Sequence, residues 1–221
     1  MKAFEQEKSK FHLYRQKYQP KFPKILHETY LDSSTQQASI LPEIAEIFPN
    51  LVNKGIKSVS FAKGAERDTI VNALRIGCVL SGGQAAGGHN VIVGIYDFIK
   101  RRHKNSQLFG FLNGPKGIFT GNYMEITDSQ INYFKNRGGF DMICSGRDKI
   151  EKPDQFEKSL QHFESLKLDG LVVIGGDNSN TNAALLAEYF LKMGSSIRVI
   201  GYPKNLNWIW SIMPSKNTTI S

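Results

Sequence analysis

Cysteine is scarce: the 221 residues contain two, Cys78 and Cys144. No Cys-x-x-Cys or paired-His spacing accompanies them, so a zinc site has no support. Both fall at the ends of expected strands, where lone thiols read as small buried hydrophobes of a reducing compartment. Long apolar runs are also missing. No stretch approaches the ~20 apolar residues that cross a bilayer, so no membrane partner is expected. The start, Met1 to Lys8, has no apolar signal core, and the expected compartment is the cytoplasm. Neither the Gly-Lys-Ser/Thr ending of a Walker loop nor the spacing of the dinucleotide fingerprint occurs. Negative charge is in short supply, with 20 Asp and Glu against 28 Lys and Arg, a net charge of +8. The basic residues are spread along the chain. Their one dense run, Lys100 to Lys104, is expected to end a helix, where cations suit the macrodipole. No nucleic-acid partner is therefore expected, and a field of this sign favours phosphorylated substrates.

What is present is an alternation of strand and helix from Asn72 onward. Strands are expected at Leu74–Leu80, Gln107–Asn113, Asp141–Cys144, Leu171–Ile174 and Arg198–Gly201. Helices are expected at Gly88–His103, Ser129–Lys135, Pro153–Lys167 and Thr181–Met193. Continuous apolar strands such as Leu171-Val172-Val173-Ile174 suit a parallel sheet buried on both faces. The expected fold class is α/β: a doubly wound, mostly parallel sheet with helices on both faces, plus an N-terminal helical extension. Residues 1–70 form that extension, with helices over Phe4–Lys17 and Leu41–Phe48, the first stopped by Pro20 and Pro23. Residues 71–204 form the main domain. Residues 205–221, with both tryptophans of the chain, form a tail that fits no periodicity. The last strand, Arg198–Gly201, is expected to leave apolar surface uncovered and to promote association.

Two glycine-rich loops carry the chemistry, each placed where a strand hands over to a helix. The first runs from Ser81 to Asn90 and contains Gly82, Gly83, Gly87 and Gly88; the second runs from Gly175 to Asn182. Glycines let backbone N–H groups approach an anion, and a helix N-terminus adds partial positive charge. The first loop suits either a phosphate or a tight βα turn without a ligand. In the second, Asp177 suits either magnesium bridging two phosphates or the N-cap of the next helix, and Asn178, Ser179 and Asn180 are rival caps. Arg147 follows an expected strand on the same sheet edge. It can clamp a phosphoryl oxygen or pair with Asp148 or Glu151. Asn113-Gly114-Pro115-Lys116-Gly117 is a third strand-end loop, expected either to line the same crevice or to serve as a plain turn.

Taken in order, Gly-Gly-Gln-Ala-Ala-Gly-Gly-His-Asn, Ser-Gly-Arg, Gly-Gly-Asp-Asn-Ser-Asn-Thr-Asn-Ala and Pro-Lys resemble the phosphofructokinase family. The likeness is to its long pyrophosphate-dependent branch and runs from about Lys10 to Lys204. The resemblance implies the N-terminal, phosphoryl-donor domain of that fold. It implies reversible, magnesium-assisted transfer from pyrophosphate to fructose 6-phosphate, a step of glycolysis. It places Gly82, Gly83, Arg147, Asn178, Ser179 and Lys204 on the donor, Arg147 and Lys204 as catalytic residues, and Asp177 on Mg2+. In this family a Gly after the Asp of the second loop admits ATP and a second Asp excludes it. Asn178 keeps the bulk without the charge, and Lys204 is the companion marker of pyrophosphate use; ATP is the alternative donor.

The chain also departs from that pattern. The family's catalytic segment reads Pro-Lys-Thr-Ile-Asp-Gly-Asp, its first Asp acting as base. Here Asn207 occupies the base position, and an amide cannot take that proton at neutral pH. Trp208 and Ile209 follow, and Ala86 replaces the usual Pro of the first loop. Three readings stay open: an enzyme of this family impaired by truncation, a non-catalytic regulatory subunit paired with a full-length partner, and a frameshifted remnant. A homo-oligomer is the other expected assembly.

Overall fold

The computed structural model describes residues 9–18, 29–36, 40–54, 56–61, 72–84 and 86–203. In chain order the elements are α1 (Lys10–Lys17), β1 (Thr29–Gln36), α2 (Pro42–Ile47), α3 (Pro49–Asn53) and β2 (Ile56–Phe61). Then come β3 (Arg75–Ser81), α4 (Gly88–Arg102), β4 (Gln107–Phe111), α5 (Pro115–Thr120), β5 (Tyr123–Ile126) and α6 (Asp128–Phe134). The last are β6 (Ser145–Gly146), α7 (Pro153–Ser165), β7 (Gly170–Gly175), α8 (Asp177–Lys192) and β8 (Arg198–Pro203). No helix among the described residues is long and apolar enough to cross a membrane.

The main sheet runs β5-β4-β3-β7-β8. β3 pairs in parallel with β4 on one side and β7 on the other, and β7 pairs in parallel with β8. Where the β4 ladder ends at Val79, the two residues of β6 continue it, Leu80 opposite Ser145 and Ser81 opposite Gly146. β5 is antiparallel to β4. The chain therefore steps outward from β3 to β4 and later returns to add β7 on the opposite side. That reversal makes the β3–β7 junction the switch point at which open α/β sheets bind ligands.

Alternation along the strands sorts the core into two layers. Val79, Phe109, Phe111, Leu171 and Val173 point to the face covered by Ile118 of α5, Leu160 and Phe163 of α7, and Leu186 and Phe190 of α8. Cys78, Leu80, Leu108 and Ile174 point to the other face, under Ile92, Val93, Tyr96 and Ile99 of α4 and Ile131 and Phe134 of α6. Each fully buried Leu, Ile or Phe here contributes on the order of 1.5–3 kcal/mol, enough to hold the strand ends in place. Phe163 is the hub of its layer, with ring centroids 5.2 Å from Phe111 and 5.5 Å from Phe190. The basic run behaves as a helix end: Lys100, Arg101 and Arg102 form the last turn of α4.

The structure corrects several expectations. Asp141–Cys144 is a turn rather than a strand, and the strand begins at Ser145. Met142 and Ile143 are buried, but their backbone groups serve other partners: Met142 N–H donates to His89 Nε2 at 3.0 Å, and Ile143 C=O accepts from Asn113 N–H at 2.9 Å. The last long helix starts at Asp177, not Thr181. The N-terminal extension is not wholly helical, since β1 and β2 form a separate antiparallel pair. It docks on the main domain at two places. Asn136 Nδ2 donates to the carbonyls of Arg15 and Tyr18 at 2.9 and 2.8 Å, and α3 sits on Glu188 of α8. Residues 4–8 of the first expected helix lie outside the described residues.

Candidate functional site

β3 delivers the first glycine loop. Ser81 is buried, and Gly82 takes φ 88°, a left-handed conformation that favours glycine. Gly82 N–H donates to Gly146 C=O at 2.7 Å, while Ser145 Oγ donates to the carbonyls of Gly82 and Leu80 at 2.7 and 3.2 Å. The Ser-Gly-Arg segment is thereby stitched to the loop. The second half of the loop turns away. Gly87 is the N-cap of α4, and His89 N–H donates to Gly139 C=O at 3.1 Å. One of the first-turn N–H groups of α4 is thus spent on protein.

β7 delivers the second loop, and here the helix end does face the site. Gly176 is the N-cap of α8 and no side chain caps it, so Asp177 is the first helical residue rather than the cap. The first-turn N–H groups of an α-helix have no intrahelical acceptor, which leaves the positive end of the macrodipole toward solvent. A side chain at Gly175 would run into Ser179, so the close approach of loop and helix requires glycine. Asn180 does not cap either; its Nδ2 donates to the carbonyls of Gly175 and Gly176 at 3.0 and 2.9 Å.

A cleft of about 540 Å³ lies between these loops. It is lined by Ser81–Gln84 from β3, Arg147–Lys149 after β6, and Gly176–Ser179 with Asn182 from α8. Gly82, Gly83, Arg147, Asp177, Asn178 and Ser179, all singled out in the sequence, therefore share one cavity. Arg147 sits over the first loop: a methyl group on Gly83 would lie 3.7 Å from its Nη2. Among the described residues no carboxylate pairs with Arg147; Glu151 pairs with Lys149 instead, at 3.7 Å. Asp177 and Asp148 share the cleft with two cations, Arg147 and Lys149, and its lining among the described residues carries no aliphatic or aromatic side chain. Lys204 and Asn207 lie outside the described residues.

Sequence reasoning set Ser81, Gln84 and Asn182 inside the two loops without giving them a role, and passed over Lys149. Ser81 and Gln84 flank the glycines and were detectable from that position alone; nothing in the sequence distinguished Asn182 from its neighbouring amides. Of the two alternatives for the third loop the first does not hold, for Asn113 to Gly117 does not line the cleft. Instead Gly114 packs against the backbone of Gly146 and supports β6 from behind. The cysteines divide. Cys78 is fully buried, and burial pushes its thiol up to about 12, as suits a core residue. Cys144 is exposed, with φ 56°, on the rim of a neighbouring hollow of about 460 Å³.

Among the described residues no group of three or more His, Cys, Asp or Glu is arranged to hold a metal. Magnesium asks for less, since it favours one or two carboxylates completed by phosphate oxygens and water. Asp177, with Asp148 in the lining of the same cleft, supplies carboxylates of that kind.

A sequence model for the family described as Phosphofructokinase matches residues 75–207. The chain is 47% identical over 203 residues to a pyrophosphate–fructose 6-phosphate 1-phosphotransferase of Porphyromonas gingivalis, covering 90% of this chain and 36% of that one. It is 52% identical over 165 residues to subunit beta 1 of the Arabidopsis thaliana enzyme of the same name, covering 75% of this chain and 29% of that one. The chain thus spans about a third of the length of these relatives. Among solved structures it is similar to a pyrophosphate-dependent phosphofructokinase from Nitrosospira multiformis, with a TM-score of 0.55 over 61% of this chain and 34% of that one. At 18% identity that likeness speaks for the fold.

Proposed function

The chain belongs to the phosphofructokinase family, and from that premise we propose that its cleft holds magnesium pyrophosphate as the donor in phosphoryl transfer to fructose 6-phosphate. The observation that carries this reading is the convergence on one cavity of Arg147, Asp177, the open first turn of α8 and Gly82–Gly83. Backbone N–H groups at a helix N-terminus suit phosphate oxygens, and a guanidinium with no carboxylate partner among the described residues suits the transferring phosphoryl. Asp177 and Asp148 would hold the ion, which when bound would neutralise charge on the donor's oxygens. Arg147 lies above Gly83, and Lys149 adds a second cation to the lining.

The lining also argues for a compact donor. A nucleoside asks for an apolar or aromatic surface beside its base, and among the described residues this cleft supplies glycine, amide, hydroxyl and charged groups only. Asn178, in the first turn of α8, fills space at the cleft wall. Pyrophosphate fits these features better than ATP.

A second reading is carried by Asn207, whose amide stands where the family has its base. On that reading the chain binds the donor and serves as a regulatory subunit beside a full-length phosphofructokinase. One experiment separates the two. Titration calorimetry with pyrophosphate, with and without magnesium, is paired with an assay for fructose 1,6-bisphosphate formation. Both readings expect magnesium-dependent binding, weakened at least ~10-fold by Asp177→Ala and not displaced by ATP. Turnover selects the enzyme; binding without turnover excludes an active enzyme, and recovery of a full-length phosphofructokinase with the chain in a pull-down then selects the subunit. Binding that is indifferent to Asp177→Ala would overturn the site assignment.

A further inference from the structure

We infer that Asn182 is a positioning residue that holds Arg147 over the donor by tethering its segment to α8; the inference rests on the donor reading above. Asn182 is 8% exposed, and both polar atoms of its carboxamide bond one residue, Ile150. Its Oδ1 accepts from Ile150 N–H at 3.0 Å and its Nδ2 donates to Ile150 C=O at 2.7 Å. Ile150 is itself fully buried. The other end of the same segment is fixed by β6, whose Ser145 and Gly146 pair with Leu80 and Ser81. Between these anchors lie three residues, Arg147, Asp148 and Lys149, all exposed and all lining the cleft.

The geometry assigns the tether its purpose. Asn182 stands five positions beyond Asp177 on the same helix, so one rigid element carries both the first turn that faces the donor and the clamp on the opposite wall. A long, exposed arginine loses rotamer freedom when it binds, and fixing its backbone beforehand lowers that cost. Replacing the amide leaves two buried backbone groups of Ile150 unpaired and frees the span at one end. Asn182 touches no reacting atom in this account; it acts through Arg147.

The test is a double-mutant cycle read with two probes. The first is hydrogen exchange on the unliganded chain: Asn182→Ala is expected to speed exchange of the 147–150 amides about tenfold and to leave β3 and β7 unchanged. The second is the dissociation constant for magnesium pyrophosphate. Asn182→Ala is expected to weaken it about tenfold alone and to add nothing on top of Arg147→Ala, because coupled residues are not additive. Asn182→Asp, which keeps the acceptor for Ile150 N–H, covers the case in which the alanine variant does not fold. Any charge effect of that variant persists in the Arg147→Ala background, whereas a positioning effect vanishes there. Additive losses, or unaltered exchange over 147–150, overturn the inference. A parent chain that binds no pyrophosphate sinks the donor reading, and the exchange measurement then still decides the tether.

Discussion

Glu188 closes the N-terminus of helix α3: its carboxylate accepts from Asn50 N–H at 3.0 Å, Asn50 Nδ2 at 2.6 Å and Leu51 N–H at 2.9 Å. The N-cap residue, Phe48, has no side chain able to cap α3, and the cap comes from 138 positions away, on α8. Burial pushes the Glu188 carboxyl up, but the Asn50 and Leu51 hydrogen bonds and nearby Lys192 outweigh it and hold the group below its ordinary value. A carboxyl lowered in the folded state contributes stability above its unfolded value of 4.5 and loses it as pH falls through the lower folded value. Glu188→Ala is expected to loosen α3 by about 1 kcal/mol, the worth of a cap, and to speed exchange of the 50–53 amides roughly fivefold. Exchange unchanged in that stretch would contradict the docking.

His89 makes the opposite case on the same side of the pH scale. It is fully buried, and desolvation lowers its value despite the carboxylate of Asp141 at 3.2 Å, whose side chain is 76% exposed and screened by water. Neutral imidazole also fits the geometry, because Nε2 must present a lone pair to Met142 N–H. A lowered base stabilises the fold fully above its unfolded value of 6.5, and the contribution is lost as pH falls through the lower folded value. His89→Gln is expected to flatten the stability-versus-pH curve across that window. A melting curve series from pH 7.5 to 4.5 with identical slopes for both chains would sink the idea.

These two residues show where sequence reading succeeds and where it stops. The run Leu171–Ile174 declared a buried parallel strand because every residue is apolar, and β7 is found there with one more residue at each end. Met142 and Ile143 are as apolar and as buried, yet they form a turn. Burial pattern does not reveal that His89 and Asn113 take their backbone groups. β5 alternates and pairs antiparallel, and α5 opens at a Gly-Pro that reads equally well as a turn; neither was anticipated. The cleft residues were legible by position, because glycine, Asp and Arg stand at the ends of neighbouring strands, although each had a structural use as well. Their supports were not legible. Asn182 and Glu188 act on partners 32 and 138 positions away, a distance no local pattern records.

Gly175 offers a sharp steric test. Its missing side chain is what lets Ser179, on the first turn of α8, approach the end of β7, with Ser81 C=O 3.0 Å from where a Cβ would stand. Gly175→Ala must push the helix start outward, since the obstacle includes backbone on one side and a short, rigid serine on the other. The expected cost is about 1–3 kcal/mol, as for other overpacked sites. Ser179→Gly removes the nearer obstacle and is expected to recover part of that loss. A denaturation midpoint for Gly175→Ala equal to that of the parent would refute the close approach.

β8 carries the last expectation. Ile200 is 58% exposed and Tyr202 47% exposed on the strand that ends the sheet. β8 pairs with β7 on one side, and α8 packs against it, which explains why Val199 is half-buried while its neighbours are not. A large apolar side chain on an edge strand favours contact with another chain, and lysine there is a common means of discouraging it. Ile200→Lys is expected to lower self-association without lowering stability, because the side chain it replaces contributes little burial. Sedimentation velocity across a tenfold concentration range reads this directly. The parent should show a concentration-dependent coefficient and the variant a constant one. A parent that sediments as a monomer throughout would mean that this surface does not drive association.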